Sequence, residues 1–414
     1  MSPPTKSRLA LFLPGLLVAA TGVGAGDLAT GAFSGNVLGL AVLWAVPLGA
    51  LLKFALSEGL ARWQLVTGET LLEGALVRAP RPLRWLFLLY LLPWSWFVGA
   101  ALIGACGVTA HAMLPLVEDA QLGKTVWGAL HSALGLLLVW RGGFKLFERM
   151  MGVAIGVMFV TVLTTAVALG FDGGEVARGL LLPTIPDAGG EGLAWTVALI
   201  GGVGGTLTLL CYGYWIREEG REGPAWIGAC RADLAVGFTV TALFGIAMVM
   251  IGSRIQVDGS GSGLIVAIAG QLEHELGAWA RWAFLVGAWG AVFSSLVGVW
   301  QAVPYVFADF WRLRHATTAD TAAVDTHGGI YRGYLVALAL VPLLGLSVSF
   351  KEAQKLYAIV GAAFLPLLAL SLLWLLRPSK VGEQHATRPW ARLALLGVVL
   401  FFLAAGALQV AAKF

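Results

Sequence analysis

Asp27 ends the stretch Thr21-Gly22-Val23-Gly24-Ala25-Gly26-Asp27, a glycine-dense interruption of an apolar run. A carboxylate at membrane depth is expensive unless it is paired or hydrated, so it marks a place for an ion or a proton. Each glycine weakens a helix by roughly 1 kcal/mol relative to alanine. In hydrocarbon an unwound backbone survives only where it is buried in protein or lines a cavity. Gly22, Gly24, Ala25 and Gly26 with Asp27 therefore read as a site where backbone N–H and C=O groups meet a ligand. Two plainer readings stay open. The glycines can serve close helix packing, and Asp27 can cap the half-helix that starts at Leu28.

A second interruption, Leu199-Ile200-Gly201-Gly202-Val203-Gly204-Gly205-Thr206, breaks another apolar run. It makes Gly204, Gly205, Thr206 and Thr208 candidates for the same site. Paired breaks in the two halves of a chain are how secondary transporters with inverted repeats build a binding site. Lys53 and Glu58 are further charges inside apolar sequence. Lys53 can neutralise an anion, pair with Asp27, or extend to the interface. Glu58 and Arg62 stand four residues apart, which suits a pair on one helix face. Thr239, Ser294 and Ser295 are candidates, with Asp27, for holding a coupling ion. Serine and threonine also bond back to their own helix, which is the competing reading for each.

The elements that must position these residues are membrane helices. The chain has 414 residues, 58% of them hydrophobic and only 12% charged, against about 25% charged in a soluble domain. Apolar stretches near 11–38, 41–64, 84–110, 125–141, 144–170, 193–216, 231–253, 279–307, 331–349, 354–376 and 390–411 each approach the roughly 20 residues needed to span. Nineteen of the 27 Lys and Arg residues fall on one side when the N-terminus is placed in the cytoplasm. The positive-inside rule then predicts a cytoplasmic N-terminus and an external C-terminus, in an inner or plasma membrane of prokaryotic type. The net charge of +4 is explained by those loops and does not call for nucleic acid. Cys106, Cys211 and Cys230 form no paired motif, so neither a disulfide framework nor a zinc site is expected. The segment 65–82 is predicted to lie on the inner surface as an amphipathic helix.

Several motifs resemble those of the NRAMP family of divalent-metal transporters. Pro14-Gly15-Leu16-Leu17 is similar to the P-G-F-L that opens the family's first span. Arg62 with Val66-Thr67-Gly68 matches R-x-x-x-V-T-G, and Arg141-Gly142-Gly143-Phe144-Lys145-Leu146-Phe147-Glu148 resembles the R-R-G-F-R-K-L-E join. Asp233 falls on the family's N-I-D, and Ser294-Ser295 on its Q-S-S. The resemblance implies an all-α, LeuT-type fold of about 11 transmembrane helices, with helices 1 and 6 broken. It would be a single transmembrane domain of two five-helix inverted repeats, 11–170 and 193–376, plus a helix at 390–411. The departures lie in the chemistry. The family's D-P-G-N aligns with Gly24-Ala25-Gly26-Asp27, and its M-P-H with Thr208-Leu209-Leu210. The acidic residues of the family's third span have no counterpart between Trp85 and Cys106, and Phe364 stands at its span-ten glutamine.

These residues predict a secondary transporter for a small ion. N–H groups at half-helix starts favour negative charge, so the preferred substrate is a small anion such as bicarbonate or a small carboxylate, coupled to sodium or protons. Gly22, Gly24, Ala25, Gly26, Asp27, Gly204, Gly205, Thr206, Thr208 and Lys53 would form its site. The alternative is a divalent metal ion, magnesium or manganese, held through Asp27; magnesium needs only one or two carboxylates because it keeps several waters. A non-transporting sensor is a third reading. No resident cofactor, nucleic acid or obligate protein partner is implied, and no nucleophile–base arrangement suggests an enzyme. The expected partners are the ionic substrate and the lipid bilayer.

Overall fold

The structure, a computed structural model, describes residues 25–141, 144–255, 261, 263–316 and 324–411. Within them the chain is helical, with no strand. A π-helical turn, Ala25–Thr30, leads into α1, Gly31–Leu38. Then follow α2 (Ala45–Thr67), α3 (Leu71–Arg78), α4 (Arg81–Met113), α5 (Ala120–Arg141), α6 (Phe144–Ala168) and α7 (Gly173–Leu181). The second part contains α8 (Glu191–Gly202), α9 (Cys211–Glu218), α10 (Ile227–Gly252), α11 (Leu264–Leu276), α12 (Ala278–Leu313) and α13 (Gly329–Leu340). It closes with α14 (Phe350–Ala362), α15 (Phe364–Leu375), α16 (Pro378–Val381) and α17 (Pro389–Ala411).

Among the described residues, eight helical segments are long and apolar enough to cross a membrane, and up to ten if each bent pair is one span. One bent pair is Gly26–Val42 with α2, turned by 108°. We read it as the second half of the first span followed by the second span. The expected first span, 11–38, is described only from residue 25. Glu191–Glu218 is a single span interrupted at its middle, as the glycines of the second break predict.

Other irregularities follow from proline. Pro342 lacks an N–H, and α13 gives way there to a 3₁₀ segment, Val341–Ser347. Pro366 cannot bond to the Ala362 carbonyl, and α14 and α15 part at Ala363. The expected tenth span is therefore two helices end to end.

The helices pack as two groups. In one, α10 lies on α1 and α2, and α8 lies against the same two helices. In the other, α4, α5, α12 and α13 pack on one another. α14 joins the groups through α8 and α4. Leu89, Val160, Val167, Leu344 and Leu400 are each more than 60% exposed, and in an integral membrane protein such a belt faces lipid rather than water.

The segment expected on the membrane surface is instead packed inside. Leu71, Leu72, Glu73, Gly74 and Leu76 of α3 are buried. The helix begins with a capping box, in which Thr70 Oγ1 accepts from the Glu73 N–H and Glu73 accepts from the Thr70 N–H. That motif contributes about 1 kcal/mol to a helix of only two turns. The hydrophobic residues that suggested a lipid-facing stripe pack against protein.

Candidate functional site

The site forms where the two breaks touch. The π-helical turn holds Asp27 fully buried. Gly26 meets the second break so closely that a Cβ there would lie 2.8 Å from the Gly202 carbonyl oxygen. Beyond Gly202 the chain leaves the helix, because Gly204 and Gly205 adopt φ of 72° and 87°. L-residues rarely enter that left-handed region, so glycine is the natural residue at both positions. The turn points the Gly204 N–H at Asp27, whose two carboxylate oxygens lie 3.1 and 3.3 Å away.

Lys53 completes the arrangement from α2. Its side chain is fully buried. Its ammonium donates to the Gly201 carbonyl at 2.6 Å and to the Val203 carbonyl. These carbonyls belong to the last turn of α8 and the residue after it, where no helical partner remains. Lys53 and Asp27 are close enough for their charges to interact. Each is therefore compensated twice, by the opposite charge and by the backbone of the second break. A buried charge needs both kinds of partner.

Hydroxyl groups line the same place. Thr206 Oγ1 accepts from Trp94 Nε1 of α4 at 3.1 Å. Trp94→Phe removes that donor and is expected to destabilise the protein by about 1 kcal/mol. An unchanged thermal midpoint in detergent would show that the bond contributes nothing. Thr208 is buried, and its Oγ1 lies 2.7 Å from where a Cβ on Gly205 would stand. Thr30 and Thr241 are also buried, and neither hydroxyl has a hydrogen-bond partner among the described residues. Thr30 flanks Gly202, and Thr241 flanks Gly204. The Asp27 carboxylate and the Gly201 and Val203 carbonyls, with Thr30 beside Gly202, make this meeting point rich in oxygen.

The structure thus brings together Gly26, Asp27, Lys53, Gly204, Gly205, Thr206 and Thr208. Ala25 lies in the π-helical turn. Gly22 and Gly24 lie outside the described residues. Asp27 does not cap its own helix; its carboxylate reaches across to the second break. Thr239 is exposed on α10, and Thr241, two residues along, takes the inward position. Two residues turn a helix by about 200°, which reverses the face. The Ser294 hydroxyl bonds back to the Ala291 carbonyl at 3.0 Å, while Ser295 is fully buried. Thr30 was missed, although it follows Asp27 by three residues and shares its face. Among the described residues no group of three or more His, Cys, Asp or Glu side chains comes together.

At the end of the bundle that carries most of the Arg residues, four buried carboxylates join the helices, and three of them hold α9. Glu58 pairs with Arg62, as the spacing predicts, and also with Arg231 at 2.7 Å. Glu73 meets Arg217 of α9 at 2.8 Å and Arg312 of α12 at 3.4 Å. Asp309 accepts from Tyr214 of α9 at 2.8 Å and pairs with Arg312 at 2.6 Å. The Tyr212 hydroxyl donates to Asp233 of α10 at 3.0 Å. Together these contacts hold the half-helix below the break against α3, α10 and α12.

Known proteins share this architecture. A family model described as natural resistance-associated macrophage protein-like (Nramp) matches residues 15–412. The divalent metal cation transporter MntH of Acidiphilium cryptum is 25% identical over 399 residues, covering 91% of this chain and 84% of that protein. The same-named protein of Chromohalobacter salexigens is 29% identical over 194 residues, a match spanning only 42% of its length and 45% of this chain. A solved structure of the Eremococcus coleocola manganese transporter, bound to an aromatic bis-isothiourea compound, superposes with a TM-score of 0.69 at 17% identity. It covers 97% of this chain and 87% of that one. MhsT in complex with L-phenylalanine gives a TM-score of 0.64 at 17% identity, covering 98% of each chain. These two structures establish the LeuT-type fold. With a family match along nearly its whole length, the chain belongs to the natural resistance-associated macrophage protein-like family of membrane transporters and is not an enzyme.

Proposed function

We propose that this protein moves a divalent metal cation across the membrane by alternating access. The observation that carries the reading is the wall of oxygen atoms where the breaks meet. It comprises the Asp27 carboxylate and the Gly201 and Val203 carbonyls, with Thr30 beside Gly202. Hard cations such as magnesium and manganese favour oxygen ligands of this kind. Asp27 would hold the ion, and the carbonyls would replace part of its water. Relatives named as divalent metal cation transporters support the same substrate class. The positive-inside asymmetry supports placing the α9 end of the bundle in the cytoplasm.

The small-anion preference loses its main support. It depended on free N–H groups at the breaks, yet the Gly204 N–H is bonded to Asp27 and Lys53 is bonded to carbonyls. A bicarbonate ion would have to displace the protein's own carboxylate.

Uptake into proteoliposomes tests the reading. Wild-type protein is expected to take up manganese or magnesium down its gradient. Asp27→Asn keeps the shape and loses the charge, which should reduce uptake about tenfold, equivalent to 1.4 kcal/mol. Bicarbonate-driven change of internal pH without metal flux would overturn the proposal. The absence of any flux, with ligand binding retained, would favour a sensor.

A further inference from the structure

Lys53 occupies the place where a cation would find its backbone oxygens. The Gly201 and Val203 carbonyls point at a position filled by an ammonium group from a different helix, on a residue 148 and 150 positions away. An ammonium is a compact, strongly hydrated point charge with three donors on a flexible four-carbon stem. It can therefore replace a small cation at one moment and withdraw at another, without leaving the protein. Among the described residues no other Lys or Arg donates to the carbonyls of the second break; Lys124, the other deeply buried lysine, is bonded to Val348.

An alternating-access carrier has to return empty. Without Lys53, the empty site would hold a buried carboxylate compensated by one N–H and two carbonyls facing no donor. Each such group is costly in a low-dielectric interior. In an exchanger a counter-transported coupling ion resolves this by occupying the site on the return.

We propose that Lys53 is a tethered cation that takes the place of a coupling ion: it leaves the Gly201 and Val203 carbonyls when the substrate loads and returns to them when the substrate departs, so the empty carrier can reorient alone. This rests on the divalent-cation reading of the site. Asp27 keeps the Gly204 N–H throughout. The substrate's charge replaces that of Lys53 beside it, and no proton need be exchanged.

Manganese-loaded proteoliposomes separate the two steps. Net efflux into manganese-free buffer requires the empty carrier to return, whereas exchange of labelled for unlabelled manganese does not. In the wild type, both fluxes are expected, and net efflux should be unchanged when sodium is replaced by choline or the pH gradient is collapsed. In Lys53→Met the ratio of net efflux to exchange is expected to fall about tenfold. In Lys53→Arg, which keeps a cation, the ratio should lie nearer the wild type. Parallel loss of both fluxes in Lys53→Met, with Lys53→Arg also impaired in both, would make Lys53 a merely structural residue and overturn the proposal. So would net efflux in the wild type that depends on sodium or a proton gradient. A wild type with neither manganese flux nor exchange would overturn the functional reading itself, and this proposal with it.

Discussion

Gly204→Val is expected to lower manganese uptake about a hundredfold, equivalent to roughly 2.7 kcal/mol. The effect has three sources. Gly204 holds a φ of 72°, a region that costs an ordinary L-residue roughly 1–2 kcal/mol and a β-branched one more. A Cβ there would lie 3.0 Å from the Phe238 ring and 3.5 Å from Thr241, so the break would be pushed away from α10. Relief of that strain would turn the backbone and remove the N–H that Asp27 accepts. Asparagine tolerates left-handed backbone better than other side chains, so Gly204→Asn should keep more uptake than Gly204→Val. Uptake, with the elution profile of each variant in detergent as a control for folding, measures the difference. Equal uptake by both variants would show that the left-handed turn does not govern the site.

Glu73→Ala is expected to destabilise the protein by about 3–5 kcal/mol, the range for breaking a buried ion pair by removing one partner. Glu73 is fully buried, caps its own helix, and receives both Arg217 and Arg312. Its loss takes the carboxylate from both guanidinium groups and frees the start of α3. Glu73→Gln can still cap but carries no charge, so its thermal midpoint should fall between those of Glu73→Ala and the wild type. An unaltered midpoint in Glu73→Ala would mean that the cluster is a solvated surface feature. Because Arg217 belongs to α9, the same variant is expected to loosen the half-helix below the break.

The sequence made some of this legible because glycine density reports backbone directly. Both breaks and the isolation of Asp27 could be located from residue types alone. The Glu58–Arg62 pair was equally readable, since it lies within one helix. Contacts between helices were not. The distance from Lys53 to Gly201 depends on how α2 packs against α8, and no local pattern encodes it. The capping box at Thr70 and Glu73 is visible as a spacing, but its burial against Arg217 and Arg312 is tertiary. Thr239 was preferred to its neighbour Thr241 because the phase of α10 is set by its packing on α1 and α2. The anion preference lacks support for a related reason: counting exposed N–H groups ignores which side chains of the same protein reach them first.

The pairing of Asp27 with Lys53 also has an electrical meaning. Moving one elementary charge through a potential of 100 mV involves about 2.3 kcal/mol. The carboxylate and the ammonium together carry none, so the empty carrier crosses the field without doing electrical work. When a divalent ion joins them, the whole displacement belongs to the loaded step. Membrane voltage would then drive inward delivery of the metal and leave the homeward stroke of the empty protein untouched.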